Sequence, residues 1–217
     1  MGGWDWSFVG QILPTLLRGL VVTFEATLLG SVLAFALGLV LALLRRAGIP
    51  VLSRLVWLFI EFVRSTPLLV QLYFLFFVLP DFGIRLSSLT AGVIGLGVHY
   101  ACYTAEVYRA GIDGVPRAQW EAATALSLPR HRTWTRVILP QAVPRVLPAL
   151  GNYVISMFKE TPLLLAIGVI DLVGAAKEAG ASAYRYVEPY TLAGLLFLLL
   201  SYPAAVLVRR LERRVGH

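Results

Sequence analysis

The feature that most limits what this chain can become is the apolar run from Val21 to Leu44, in which Glu25 is the single charged residue. As a helix rising 1.5 Å per residue it reaches about 36 Å, more than the ~30 Å hydrocarbon core of a bilayer. Arg45-Arg46 follows it directly and marks a cytoplasmic end, because cations gather on that side. The chain repeats this plan. Five spans are predicted, at about Thr15–Leu44, Ser53–Leu79, Thr90–Tyr108, Val143–Ile170 and Tyr190–Val208, forming one transmembrane domain over 1–217. The fold class read from this pattern is all-α, a membrane-embedded bundle of five helices.

Composition agrees with that class: 58% of the residues are hydrophobic and only 14% charged. The net charge of +7 does not point to a nucleic-acid partner, because the positions of the cations matter more than their number. Thirteen of the 19 Lys and Arg residues stand at 45, 46, 54, 109, 117, 130, 132, 136, 145, 209, 210, 213 and 214, in the segments assigned to the cytoplasm. The N-terminus is therefore expected outside and the C-terminus inside. Trp4, Trp6 and Phe8, with Asp5 and no basic residue, suit a short segment at the outer interface rather than a secretory signal. A single Cys102 allows no internal disulfide, and His99, His131 and His217 have no metal-ligand spacing. There is no phosphate-loop pattern and no nucleophile–base set, so no catalytic residue and no metal site is assigned and no cofactor is expected on this chain.

Individual segments add detail. Gly97, Ala101 and Ala105 form a ladder of small residues that lets another helix approach closely. His99, Tyr103 and Glu106 lie off that stripe, and Glu106 is placed to pair with Arg109 three residues on. Arg18 and Glu25 read as a structural pair or as two charges reaching for the interface. Pro80-Asp81-Phe82-Gly83 is an outer turn, and residues 173–189 are expected as an outer loop.

Spans two and four share a short repeat. Arg64-Ser-Thr66-Pro67-Leu-Leu matches Lys159-Glu160-Thr161-Pro162-Leu-Leu, well inside each span. Proline removes a backbone donor and frees a carbonyl one turn earlier, which a nearby Thr can satisfy. A cation facing lipid there costs about 2.5–3.5 kcal/mol, so both Arg64 and Lys159 are expected to face the interior or a solvated cavity. Broken helices at matching positions point to a transport path. The alternative is a pair of structural kinks with salt bridges, Arg64 to Glu61 and Lys159 to a carboxylate elsewhere. The candidate solute path comprises Glu61, Arg64, Thr66, Tyr103, Asn152, Tyr153, Phe158, Lys159 and Glu160. Its cations would take a carboxylate, its acids and aromatic faces a cationic group, and Asn152 and Thr66 would orient the solute by hydrogen bonds.

Between spans three and four lies a polar cytoplasmic segment, 111–140. Glu121-Ala122-Ala123 opens a short helical stretch running to Leu128, Pro129 forces a turn, and Ile138-Leu139-Pro140 closes the segment. This pattern resembles the EAA loop of permease subunits of bacterial ATP-driven (ABC) importers. With EFVRSTPLLVQL, AEVYRAGIDGVP and KETPLL, the likeness covers essentially the whole chain and points to the polar-amino-acid group. VLPDFGIRL, MFKETPLL and YRYVEPYT look most like permease subunits of ectoine and hydroxyectoine importers. The resemblance implies a type I importer permease in the bacterial cytoplasmic (inner) membrane. It would work with a second permease subunit (itself or a paralogue), a dimer of ATPase subunits holding ATP and Mg, and an extracytoplasmic solute-binding protein. It also implies that Trp120, Glu121, Ala122, Ala123, Ser127, Leu139 and Pro140 form the contact with the ATPase. Ser127 stands where the family usually has glycine, which implies a slightly different turn. The solute implied is ectoine-like, with a polar amino acid such as glutamine, arginine or histidine as the alternative. A secondary transporter or a structural membrane subunit would also carry broken helices and positive loops, but has no reason to carry the EAA pattern.

Overall fold

The computed structural model describes residues 3–215, so His217 lies outside the described part of the chain. Among the described residues every regular element is helical. They are α1 (Trp6–Arg45), α2 (Pro50–Arg64), α3 (Leu68–Tyr73), α4 (Ser88–Asp113), α5 (Arg117–Ala125), α6 (Arg130–Arg132), α7 (Leu139–Glu160), α8 (Leu172–Ala183) and α9 (Val187–Val215). π turns at Phe74–Val78 and Thr133–Ile138 extend α3 and α6, and 3₁₀ turns at Leu79–Phe82 and Thr161–Ile167 follow the first π turn and α7.

The centre of the bundle is the seam between α1 and α4. Gly19, Thr23, Ala26, Thr27, Gly30, Ser31, Ala34 and Gly38 are buried on α1, so a line of small residues faces the neighbours. The small residues of α4 meet it: a side chain at Gly38 would lie 2.0 Å from Thr104 Oγ1, and one at Gly97 would lie 2.5 Å from Leu33. Without a hydrophobic drive between helices in lipid, such close backbone approach supplies the attraction. Thr104 Oγ1 adds a hydrogen bond across the seam to the Ala34 carbonyl at 2.9 Å. Substituting Gly38 by Leu would force these backbones apart at a cost of about 1–3 kcal/mol or more.

α1 and α9 are each long and apolar enough to cross a membrane, and α2 with α3 qualifies as a pair bent by 103°. α4 and α7 have 26 and 22 residues, about 39 and 33 Å of rise, but carry glycine, tyrosine, histidine and proline where a lipid-facing span would carry leucine. Their polarity belongs to helices packed inside the bundle. The end of the α1–α4 seam at Arg45 is tied by charge: Arg45 pairs with Glu106, and Arg46 with Asp113. Arg109 bonds Glu106 at 2.7 Å and Asp113 at 3.1 Å. The expected Glu106–Arg109 pair is thus part of a five-membered network.

Two expectations are corrected. Residues 6–13 do not form a separate interfacial segment; Asp5 caps α1 by accepting from the Ser7 and Phe8 amides at 2.9 and 3.2 Å, and the helix runs on from Trp6. Residues 173–189 are not an open loop. Their first part is α8, whose Leu172, Ala175, Ala176 and Ala179 are buried in a cluster with Leu16 and Leu20 of α1, while Lys177 and Glu178 project outward. The charged pair suggests a loop, whereas the Ala and Gly around it make the buried face. Arg18 and Glu25 are both exposed, in keeping with charges reaching outward.

At the opposite end, where α1 begins, Arg185 closes a clasp. It pairs with Asp5 at 3.2 Å and with Glu188, donates to the Gly3 carbonyl at 2.9 Å, and stacks on Phe8 at 5.5 Å. Asp5 is held below the usual carboxylate range, chiefly by the Ser7 hydroxyl, and Glu188 likewise, chiefly by its own backbone amide and then by Arg185.

Candidate functional site

The first break is built around Gln71. At Ser65–Pro67 the chain leaves α2 and restarts as α3, which strands carbonyls at the end of α2. Gln71 Nε2 donates to the Val63 carbonyl at 2.8 Å, to the Thr66 carbonyl at 3.1 Å and to Thr66 Oγ1 at 2.8 Å. Thr66 Oγ1 itself donates to the Phe62 and Val63 carbonyls at 3.1 Å. The Gln71 Oε1 faces His99 Nδ1 of α4 at 3.1 Å. Thr66 is therefore committed to the backbone of the break and does not present its hydroxyl to a solute.

Arg64 ends α2 beside Glu61, 3.3 Å away, and its guanidinium lies over the Tyr103 ring at 5.2 Å. Tyr103 belongs to a triangle of tyrosines. Its ring is 5.8 Å from Tyr153 and 6.1 Å from Tyr100, and Tyr100 is 5.7 Å from Tyr153. His99 leans on Tyr103 at 5.2 Å. At the far end Ser156 and Glu160, three and seven residues on from Tyr153, lie on the same side of α7 as that ring. α2, α4 and α7 thus bring Glu61, Arg64, Tyr103, Tyr153 and Glu160 into one constellation. Its chemistry is that of a polar, aromatic-walled site with a cation at one corner and an acid at another.

Three expected members stand elsewhere. Phe158 is buried between Phe24 at 5.4 Å and Phe197 at 5.1 Å, on the side of α7 that meets α1 and α9, and its role is packing. Lys159 is exposed in a groove of about 500 Å³ between α7 and α9, with Tyr190 and Phe197. It does not join Arg64, and no ion pair with a carboxylate is present among the described residues. Asn152 is exposed one position from Tyr153, so a helical step turns it away from the tyrosines. Sequence reasoning missed Tyr100, Gln71 and the part His99 plays. The signal for Tyr100 was its three-residue spacing from Tyr103, which puts both on one helix face.

The second candidate region lies at the Asp113 end of α4 and the Leu139 end of α7, the side expected to be cytoplasmic. α5 sits on an apolar patch of Ile112, Val115, Ile138 and Ala142, against which Trp120 and Trp134 pack, their rings 5.3 Å apart. Arg145 donates to the Gly114 carbonyl and ties the start of the loop to α7. Ala123 is buried, whereas Glu121, Ala122, Leu139 and Pro140 are exposed. Among the described residues Glu121 is paired only with its own Arg117, at 3.3 Å across an open surface, a contact too solvated to hold it. The expectation that Trp120 faces a partner is corrected: it is turned inward, and the exposed apolar residue of the helix end is Leu126, at 72% exposure. Ser127 has φ +50, the left-handed region that glycine enters freely. The turn is of the type a glycine would make, and the serine bears about 1–2 kcal/mol of strain for it.

Residues 34–217 match the family described as the binding-protein-dependent transport system inner membrane component. The chain belongs to that family. As a permease of this family it is 43% identical to a probable amino-acid ABC transporter permease of Sinorhizobium fredii, over 96% of this chain and 90% of the relative. It is 33% identical to the glutamine transport system permease of Escherichia coli, over 97% of each. The crystal structure of an amino acid ABC transporter with histidines superimposes on this permease with a TM-score of 0.91 and 34% identity, covering 98% of this chain and all of that one. A permease chain of a methionine ABC transporter shares the fold, at a TM-score of 0.78 and 22% identity.

Proposed function

We propose that this chain is the permease subunit of an ATP-driven importer that carries a polar amino acid into the cytoplasm. The observation that carries the reading is the position of α4 and α7. Each carries part of the tyrosine triangle along its length and has one end at the exposed α5 helix, so a partner bound at Glu121 pushes on the walls of the solute site. In this reading five spans cross the inner membrane with the N-terminus outside. The second permease copy or paralogue completes the path, an ATPase dimer holding ATP and Mg docks on α5 through Glu121, Ala122, Leu126, Leu139 and Pro140, and an extracytoplasmic binding protein delivers solute. Glu61, Arg64, Tyr103, Tyr153 and Glu160 line the path. The named relatives carry amino-acid names, which favours an amino acid over the ectoine suggested by short sequence likenesses.

The test is uptake by the reconstituted complex with its own binding protein. Labelled glutamine and arginine are expected to enter saturably in an ATP-dependent manner, with excess ectoine failing to compete. Glu121→Lys is expected to leave insertion intact and to abolish binding-protein-stimulated ATP hydrolysis. Saturable uptake of ectoine with no amino-acid competition would reverse the solute assignment. Normal transport by Glu121→Lys would remove α5 as the coupling surface.

A further inference from the structure

The last turns of α9 run on past the bundle. Val208 is buried against α7, where a side chain at Gly151 would lie 2.8 Å from it, and among the described residues nothing after Val208 is buried. The helix continues through Arg209, Arg210, Arg213 and Arg214, all four exposed. None of them has an ion-pair partner among the described residues. The acid of the segment, Glu212, stands four residues on from Val208, a helical step that places it toward the bundle side and away from the arginines. The outward face at this end of α9 is therefore purely cationic.

That face is continuous with an apolar one. Leu195, Leu199 and Tyr202 are exposed along α9. Arg209 is seven residues on from Tyr202, Arg210 eleven on from Leu199 and Arg213 eleven on from Tyr202, all spacings that return to the same side of a helix. From Tyr190 to Arg209 the rise is about 28 Å, close to the ~30 Å of a hydrocarbon core. One row thus passes from an aromatic residue at one interface, through leucines at hydrocarbon depth, to arginines at the depth of the headgroups. We infer that this end of α9 is a binding surface for anionic phospholipid, whose acyl chains cover the leucines and whose phosphates meet the four guanidinium groups. A zwitterionic lipid brings a phosphate but no net charge to set against four unpaired cations. A soluble protein partner could cover the arginines but not the leucines of the same row, and a second copy packed α9 to α9 would set arginine against arginine. Held at the headgroups, α9 keeps Val208 on Gly151, two residues from Tyr153, so the lipid contact braces the α7–α9 pair beneath the tyrosines.

The test reconstitutes the permease–ATPase complex in phosphatidylcholine vesicles carrying a trace of spin-labelled phosphatidylglycerol or spin-labelled phosphatidylcholine. The motionally restricted part of the electron spin resonance spectrum reports the lipid held at the protein. At low salt phosphatidylglycerol is expected to associate at least about threefold more strongly than phosphatidylcholine, and the preference is expected to shrink at 1 M salt, where the Debye length falls to about 3 Å. Changing Arg209, Arg210, Arg213 and Arg214 together to Gln is expected to remove more than about half of the preference. Changing all four to Lys is expected to keep it, because a phosphate accepts a point charge. Arg213→Gln with Arg214→Gln, which leaves Arg209 and Arg210 to anchor the span, is expected to remove a smaller share and decides the matter where the fourfold Gln variant does not insert. Equal association of the two lipids with the native complex overturns the inference. So does a preference unchanged in the Gln variants, which would place the lipid at other cations, or one lost equally with Lys, which would mean that the guanidinium groups serve a protein contact.

Discussion

Two stretches of this permease are nearly the same in sequence and differ in what they build. At Arg64–Leu69 the helix bends through 103°, restarts as α3 and leaves its cation over the tyrosines. At Lys159–Leu164 the helix tightens into a 3₁₀ turn, Gly168 takes a left-handed backbone, and Asp171 caps α8. Here the cation is exposed in the α7–α9 groove, and the next residue, Glu160, falls on the Tyr153 face of α7. The difference lies in who receives the freed carbonyls. At the first break a side chain six residues on from Ser65, Gln71, takes two of them. At the second, Thr161 donates to the Phe158 carbonyl at 3.0 Å and touches Asp171 at 3.4 Å. A Thr-Pro pair fixes where a helix breaks, and the partners of the orphaned backbone fix which way its neighbours point.

The largest expected effect separates the two cations. Arg64→Met removes the group proposed for the solute carboxylate, a loss of about 1.5–3 kcal/mol, or roughly 10- to 150-fold in uptake. Lys159→Met is expected to change uptake by less than about threefold, because the residue stands in another groove. Measuring both in reconstituted vesicles breaks the comparison if Lys159→Met proves the more damaging.

Next come the backbone partners. Gln71→Leu strands carbonyls at the first break and is expected to lower stability by about 1–3 kcal/mol. Thr161→Val removes one hydroxyl donor and is expected to cost about 1 kcal/mol. Thermal unfolding of the detergent-solubilised complex checks both, and a larger loss for Thr161→Val would mean that the second break, not the first, is the more dependent on its side-chain partner.

How much of this was legible in the sequence follows the same line. Long apolar runs, arginine clusters and the Gly97–Ala101–Ala105 ladder give the long helices, their order and the α4 side of a close seam, because these depend on period and volume alone; which helix meets that face is not in the pattern. The repeat gives the places of the breaks. It does not give their hands, since Lys159 aligns with Arg64 yet Glu160 does the facing; that depends on whether the helix bends or tightens. Trp120 is misread for a related reason: an aromatic in a polar loop looks available until the packing of Trp134 against it is known. α8 is hidden because Lys177 and Glu178 obscure a buried alanine face.

A smaller effect tests whether local backbone chemistry also governs the coupling loop. Ser127→Gly relieves the left-handed strain and, after the extra freedom glycine has when unfolded, is expected to raise stability by about 0.5–1 kcal/mol, read as a higher Tm. The smallest expected effect is at the outer clasp. Asp5 and Glu188 have folded pKa values below their ordinary ones, so their stabilisation is complete above the ordinary carboxylate range and is lost as pH falls through the folded values. Hydrogen exchange at residues 5–9 should therefore speed up on acidification, and Ser7→Ala, which removes the largest contribution at Asp5, should weaken that pH dependence.

The apolar patch under α5 has a mechanical consequence. Because Trp120, Trp134, Ile112 and Ile138 bind the short helix to the feet of both α4 and α7, it acts as a crossbar joining two levers. From Asp113 to Tyr103 the arm is about 15 Å and from Leu139 to Tyr153 about 21 Å, at 1.5 Å per residue. The arms are unequal, so a tilt of about 5° shifts Tyr103 by about 1.3 Å but Tyr153 by about 1.8 Å. In the proposed coupling, a stroke delivered at the crossbar would therefore shear the tyrosine triangle as well as move it.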